Sequence, residues 1–451
     1  MARGGMRVLC LEKNHCIGGM ATTTELVRGY RFELAGSVQF PIPTQIYDDL
    51  DLGACPIYEA EVQSVGIGPS AHRPIGRFGR FDVRTSPKSL DEMFASTTNE
   101  VEREAIRTAM FGSVMDVIDR HLPERQKHAQ IRGMLAFLSV NSTHRGPYDA
   151  GSAMCLAFAL SSPGDVTMSN VKRGIGTISD HLLTQFETAG GELRRHVKVD
   201  EITVDRGRVT GVTLGDGDRI TAPVVVSNLD PTATFTNLIN RDVLSEVFAR
   251  RVDTIDHRAL YFQMHRALSG LPEYADQYAV PNDVDARQCV TFIGTPEQMQ
   301  RDFEGCTQGL VPRSPSVNLS TPTLRDPDLA PPGKHAASNF AFYAPIGATH
   351  DEQATLRDEM ADRIVATITA RAPNFPETIE RQCSYLAYTY ERMFRYTNAI
   401  GTSLTSSPSA PDLGAGPITR FRSKTSVRAA LAAMDGRGSH SLLATTAGMR
   451  S

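Results

Sequence analysis

The chain has 451 residues, with 47 basic against 51 acidic ones and a net charge of -4, so nothing in its charge favours nucleic acid. That length is enough for two domains and a large core, and the longest apolar segment, 153–160, is far too short to cross a bilayer. Seven scattered cysteines without a C-x-x-C pair, and twelve histidines without an H-x-x-x-H pair, exclude a redox dithiol or zinc knuckle by pattern and fit a reducing interior with no metal.

Taken in order, Val8 to Leu11 form an apolar run suited to a buried parallel strand. Glu12 ends it, where the acid of a nucleotide-binding βαβ unit accepts hydrogen bonds from ribose hydroxyls. Gly18 and Gly19 then let backbone approach a ligand closely. The spacing alone equally describes a strand capped by a surface Glu and followed by a flexible loop. No signal peptide is expected, because the amino terminus runs directly into strand.

From 41 to 164 the pattern is mainly helical, with Val101, Ala105, Met110, Val114, Val117 and Ile118 at helical spacing. It carries no chemical motif and serves as a lid, a substrate wall or plain scaffold. Arg173-Gly-Ile-Gly176 opens a helix bearing Ile178, Leu182, Leu183 and Phe186, which Gly190-Gly191 ends. A Gly-x-Gly at a helix start is more often structural than phosphate-binding. Strands are expected over 196–204, 209–214 and 219–222, joined by hairpin turns and followed by the apolar Val224-Val-Val-Ser-Asn228. Further on, 259–265 alternates like a strand facing a pocket, and 288–293 is similar. Lys334 and His335 invite a catalytic reading, although residues after a Pro-Pro-Gly turn are more often solvated loop. A helix with Leu356, Met360, Ile364 and Ile368 follows, and beyond Phe394 the periodicity disappears.

The block from Val8 to Glu25 with Gly29 to Phe32, and the block from 172 to 231, resemble the phytoene dehydrogenase-like oxidoreductases. These are the carotenoid and retinoid oxidoreductases of the amine-oxidase-like flavoprotein superfamily. The resemblance covers roughly 5–395 and implies an α/β fold: a Rossmann-like FAD-binding domain of GR2 type, incomplete at both ends, with an inserted mixed α+β substrate domain. It implies FAD held by Glu12, Lys13, Gly18, Gly19, Ala21, Thr22 and the backbone of Val197, with NAD(P) a candidate electron partner although no second dinucleotide fingerprint is present. The implied layout is FAD-binding segments at 1–40 and 165–235, substrate-domain segments at 41–164 and 236–395, and an atypical, poorly ordered tail at 396–451.

The family's G-x-G-x-x-G turn does not precede Met6, and its closing Pro-Gly-Gly-Gly motif is missing, so the chain as written is expected to bind flavin weakly enough to purify without it and to turn over nothing. Codons compatible with 432–447, read one frame over, can spell a run similar to that closing motif. The implied activity is hydride transfer between flavin and a small apolar, polyisoprenoid-like substrate, in a cytoplasmic protein with peripheral membrane contact open. An organelle matrix is the alternative if an upstream targeting segment is missing. A flavin-free binding or scaffold protein and a flavin-dependent carotenoid-type isomerase are the alternative functions. No catalytic acid or base stands out.

Overall fold

The computed structural model describes residues 1–36, 44–59, 90–140, 144–160, 169–255, 262–275, 286–345, 349–394 and 442–446. The leading apolar run becomes β1 (Arg7–Glu12), buried at every position after Arg7. A tight glycine turn leads into the hairpin of β2 (Thr23–Val27) and β3 (Tyr30–Glu33). Strands β4 (Ile57–Glu59) and β5 (Ser169–Val171) pair antiparallel and bracket the helical stretch in sequence. Residues 60–89 of the stretch expected to be mainly helical lie outside the described residues.

Four helices of that stretch are α1 (Glu100–Phe111), α2 (Val114–His121), α3 (Ala129–Val140) and α4 (Ala153–Leu160). The apolar spacing from Val101 to Ile118 suggested one continuous face, yet the helix breaks at Gly112. Ser113 starts a new one, because its hydroxyl accepts the Asp116 N–H while the Asp116 carboxylate accepts the Ser113 N–H. Val101 consequently faces solvent, and α1 buries Ile106 and Ala109.

Next come α5 (Gly176–Thr188) and β6 (Glu192–Arg195), then the meander β7 (Val199–Asp205), β8 (Arg208–Leu214) and β9 (Arg219–Thr221), and then β10 (Val224–Val226). The strand expected to start at His196 starts at Val199, because His196 sits in the left-handed region at φ 58° and turns the chain. The remaining large unit is a five-stranded antiparallel sheet in the order β12-β13-β14-β11-β15. Its strands are β11 (Phe262–Leu268), β12 (Cys289–Phe292), β13 (Val317–Ser320), β14 (His335–Ala341) and β15 (Ile379–Tyr385). Around it run α6 (Pro296–Thr307), α7 (His350–Thr369) and α8 (Ala387–Phe394).

Alternation along β11 sends Phe262, Met264 and Leu268 into one core with Met360, Ile364 and Ile368 of α7, all fully buried. Each such side chain contributes about 1.5–3 kcal/mol by leaving water. The α7 periodicity read from the sequence is the face that packs there. The opposite face of β11 meets the β2–β3 hairpin: the His265 ring lies 5.3 Å from Phe32 and 5.3 Å from Tyr385. Of the strand expected from 259, the residues before Phe262 lie outside the described ones.

β1 and β6 pair in parallel, from Leu9 opposite Glu192 to Glu12 opposite Arg195, and β10 belongs to the same sheet. Val8–Leu11 and the apolar run at 224 therefore lie in one sheet. Between β1 and β10 lies the backbone of β16 (Leu442–Thr446), antiparallel to both. The tail expected to be poorly ordered thus contributes one strand. The rest of it lies outside the described residues. No helix among the described residues is long and apolar enough to cross a membrane.

Candidate cofactor-binding site

Glu12 sits at the carboxyl end of β1, where parallel strands point their backbone toward bound ligands. Its side chain is only 5% exposed, and one carboxylate oxygen accepts the Asn14 N–H at 2.8 Å. Burial raises its pKa, opposed by the backbone hydrogen bonds of Asn14 and Lys13 and by the Lys13 charge. Burial also raises the Cys16 thiol, with the Glu12 charge adding to it.

The other expected residues separate into two groups. Val197 joins Glu12 directly, since its N–H donates to the Glu12 carbonyl at 3.0 Å. That amide is therefore already engaged in extending the β1–β6 pairing. Lys13 points elsewhere: its Nζ donates to the Arg392 carbonyl at 2.6 Å, and the neighbouring Asn14 Nδ2 donates to the Met393 carbonyl at 3.1 Å. Both thus bind the last turn of α8, where unpaired carbonyls and the negative dipole end favour donors.

Gly18, Gly19, Ala21 and Thr22 form the second group, a turn laid on α5. Gly18 has φ 98° and Gly19 φ 56°, both left-handed. The Ala21 N–H closes on the Gly18 carbonyl at 2.9 Å, and the Thr22 hydroxyl donates to the Ile17 carbonyl at 2.5 Å. Ser179 of α5 donates its hydroxyl to the Ala21 carbonyl at 3.0 Å. A Cβ on Gly18 would stand 2.7 Å from that carbonyl and would also meet the Ser179 side chain. Gly18→Ala is accordingly expected to cost about 1–2 kcal/mol from the left-handed backbone alone, measured as a lower thermal midpoint. An unchanged midpoint would mean the turn relaxes away from α5.

The Gly-x-Gly before α5 proves structural. The Gly176 N–H donates to the Thr23 hydroxyl at 2.9 Å, the Ile175 N–H to the Glu33 carboxylate at 2.8 Å, and the Arg173 N–H to the Asp326 carboxylate. A Cβ on Gly176 would lie 2.6 Å from the Thr23 backbone nitrogen, which is why glycine stands there. A phosphate has no amides left to bind at this turn.

Lys334 and His335 are likewise structural, but neither is a free loop residue. Lys334 pairs with Glu380 at 2.5 Å, and the Tyr30 hydroxyl donates to the same carboxylate at 2.6 Å. His335 opens β14 with its Nδ1 3.1 Å from the Thr323 hydroxyl.

Sequence reading missed the buried polar face of β11. Gln263 accepts from the Tyr390 hydroxyl, and His265 Nδ1 lies 2.9 Å from the Ser338 hydroxyl. Burial pushes the His265 pKa down to about 4, so the ring is neutral at ordinary pH. The alternation of this strand was visible, but a period of two does not say what covers each face.

No protein-family model matches the chain. The chain is 25% identical to the mouse (Mus musculus) pyridine nucleotide-disulfide oxidoreductase domain-containing protein 2, across 88% of this chain and 80% of that protein. It is 26% identical to a lycopene-forming phytoene desaturase of a Paracoccus strain, across 50% of this chain and 42% of that enzyme. Among solved structures, an oxidoreductase from Methanosarcina mazei shares the fold, with a TM-score of 0.52 at 14% identity over 85% of this chain and 83% of that one.

Proposed function

We propose that this relative of phytoene desaturases is an FAD-dependent oxidoreductase of GR2-type architecture acting on a small apolar, polyisoprenoid-like substrate. The observation that carries the reading is the buried Glu12 carboxylate at the end of β1, beside the parallel strand β6 and followed in sequence by the left-handed glycine turn at 18–19. The likeness to oxidoreductases over most of the chain supports it. In this reading 1–40 and 165–235 carry the cofactor, and 41–164 and 236–395 form the wall against which substrate lies.

The described residues fit the adenosine half of FAD. Glu12 supplies the acceptor for ribose hydroxyls, Val197 lies beside it, and the glycine turn allows close backbone approach. They do not supply a pyrophosphate cradle at the start of α5, whose amides are capped by side chains. FAD held by Glu12 would supply a hydride acceptor for a substrate C–H bond. The chain's own contribution is to orient the cofactor through Glu12. NAD(P) is proposed only as an electron partner.

Reconstituting the purified chain with FAD and an apolar polyene tests this directly. The expected result is a yellow protein whose flavin band bleaches anaerobically when the substrate is added. A flavin-dependent isomerase would convert the polyene without consuming an electron acceptor, and a scaffold protein would stay colourless. The capped turn before α5 is the observation that favours the colourless outcome. Failure to retain FAD at any concentration would overturn the oxidoreductase reading.

A further inference from the structure

The amides of the turn that precedes α5 are all taken, three of them by side-chain acceptors from elsewhere in the chain. Its four amides, from Arg173 to Gly176, bond in turn to Asp326, to the Val171 carbonyl, to Glu33 and to Thr23. Arg173 and Gly174 are both left-handed, at φ 65° and 87°, which is what turns successive amides to one side. Two carboxylates therefore enter one turn, two residues apart, from segments distant in sequence. Both are buried, Glu33 at 7% and Asp326 at 0% exposure. The second oxygen of Asp326, Oδ1, is buried and has no hydrogen-bond partner among the described residues.

Two buried like charges sharing a site cannot both ionise without large cost, so such pairs hold one proton between them. We propose that Glu33 and Asp326 share a single proton and form an alkali-sensitive clasp, which positions the 18–22 turn against α5 through Ser179. The neutral member keeps an acceptor on the turn and adds an O–H donor where Asp326 Oδ1 lacks a partner. The ionised member is matched to the amides and the positive end of the α5 dipole. The charged groups facing the pair are few. Asp328 lies on the same loop as Asp326, and Lys172 and Arg173 lie on the turn. Thr23 brings only a hydroxyl.

The sign of the pH dependence follows. Burial first, and then the Asp326 charge, push the Glu33 pKa up to about 8, against the Ile175 amide bond. Burial also raises Asp326. A carboxyl group raised in the folded state stabilises fully below the ordinary carboxylate range, and its contribution is lost as pH rises toward the folded value. The clasp therefore weakens across that window.

The clasp stands independently of the cofactor reading; only its consequence for the 18–22 turn as a flavin contact rests on that reading. Infrared difference spectroscopy of the full chain tests it. A protonated-carboxyl band is expected at about pH 7 that disappears on alkaline titration and is missing in Glu33→Gln. In Asp326→Asn the band should remain but titrate at lower pH, because the facing charge is gone. The thermal midpoint of the wild-type chain should fall by roughly 2–5 °C between about pH 5 and pH 9, and that slope should flatten in Glu33→Gln. If Glu33→Gln does not fold, the shift in Asp326→Asn decides. No carboxyl band in the wild type, a band surviving in Glu33→Gln, or an unshifted titration in Asp326→Asn would each overturn the shared proton.

Discussion

Replacing Arg266 by methionine is expected to stabilise the folded protein by about 1–4 kcal/mol, taking as a guide the range for buried ion pairs that give way to well-packed apolar side chains. Arg266 is fully buried on the α7 side of β11. Its partners are neutral: the Gln382 side-chain oxygen at 3.3 Å, the Met264 sulfur at 3.0 Å and the Phe375 ring with its centroid at 5.3 Å. One guanidinium nitrogen, Nη1, is buried without any partner among the described residues. Burial lowers its pKa to about 9, so the folded state resists holding a charge that the unfolded chain keeps at ordinary pH. A base depressed in this way costs stability below its folded pKa and recovers it as pH rises above that value. Methionine fills similar length with no donors to satisfy and adjusts to irregular gaps. Denaturant unfolding of the two proteins measures the effect. A loss of stability in Arg266→Met would show that the contacts with Gln382 and Phe375 outweigh the desolvation of the guanidinium.

Glu12→Ala should weaken FAD binding by about 1.5–3 kcal/mol, the range for a hydrogen bond to a charged acceptor, or roughly 10- to 150-fold in Kd. The carboxylate already accepts the Asn14 amide, so its loss also frees the turn that follows β1. Glu12→Gln separates the two effects: it keeps an acceptor for that amide while removing the charge. Titrating apoprotein with FAD by flavin fluorescence gives the numbers. Equal affinity in all three proteins would reduce Glu12 to a strand end and remove the main support for the cofactor reading.

Elements with a local cause were legible in the sequence. The apolar run at 8–11, the helix closed by Gly190, the meander with its glycine turns and the α7 face each follow from patterns within about 20 residues, the reach of helical and strand periodicity. That Glu12 ends a strand and that Gly18 and Gly19 make a turn was legible for a similar reason, because both are local features; their contact with FAD is the proposal. Where local cues competed, the structure chose: the Ser113 capping box broke a helix that spacing alone would have continued.

Tertiary structure alone decided what each amide and each buried charge meets. Glu33 and Ile175 are 142 residues apart, and Arg173 and Asp326 are 153 apart, so no window of sequence contains either pair. The same holds for the Lys13 contact with α8, 379 residues away, which took one expected cofactor residue to a helix end instead. The sequence showed that a glycine turn opens α5; only the packed chain determined that side-chain carboxylates cap it. An exposed amide and a capped one have the same sequence around them, and they differ only in what the rest of the fold brings within hydrogen-bonding distance.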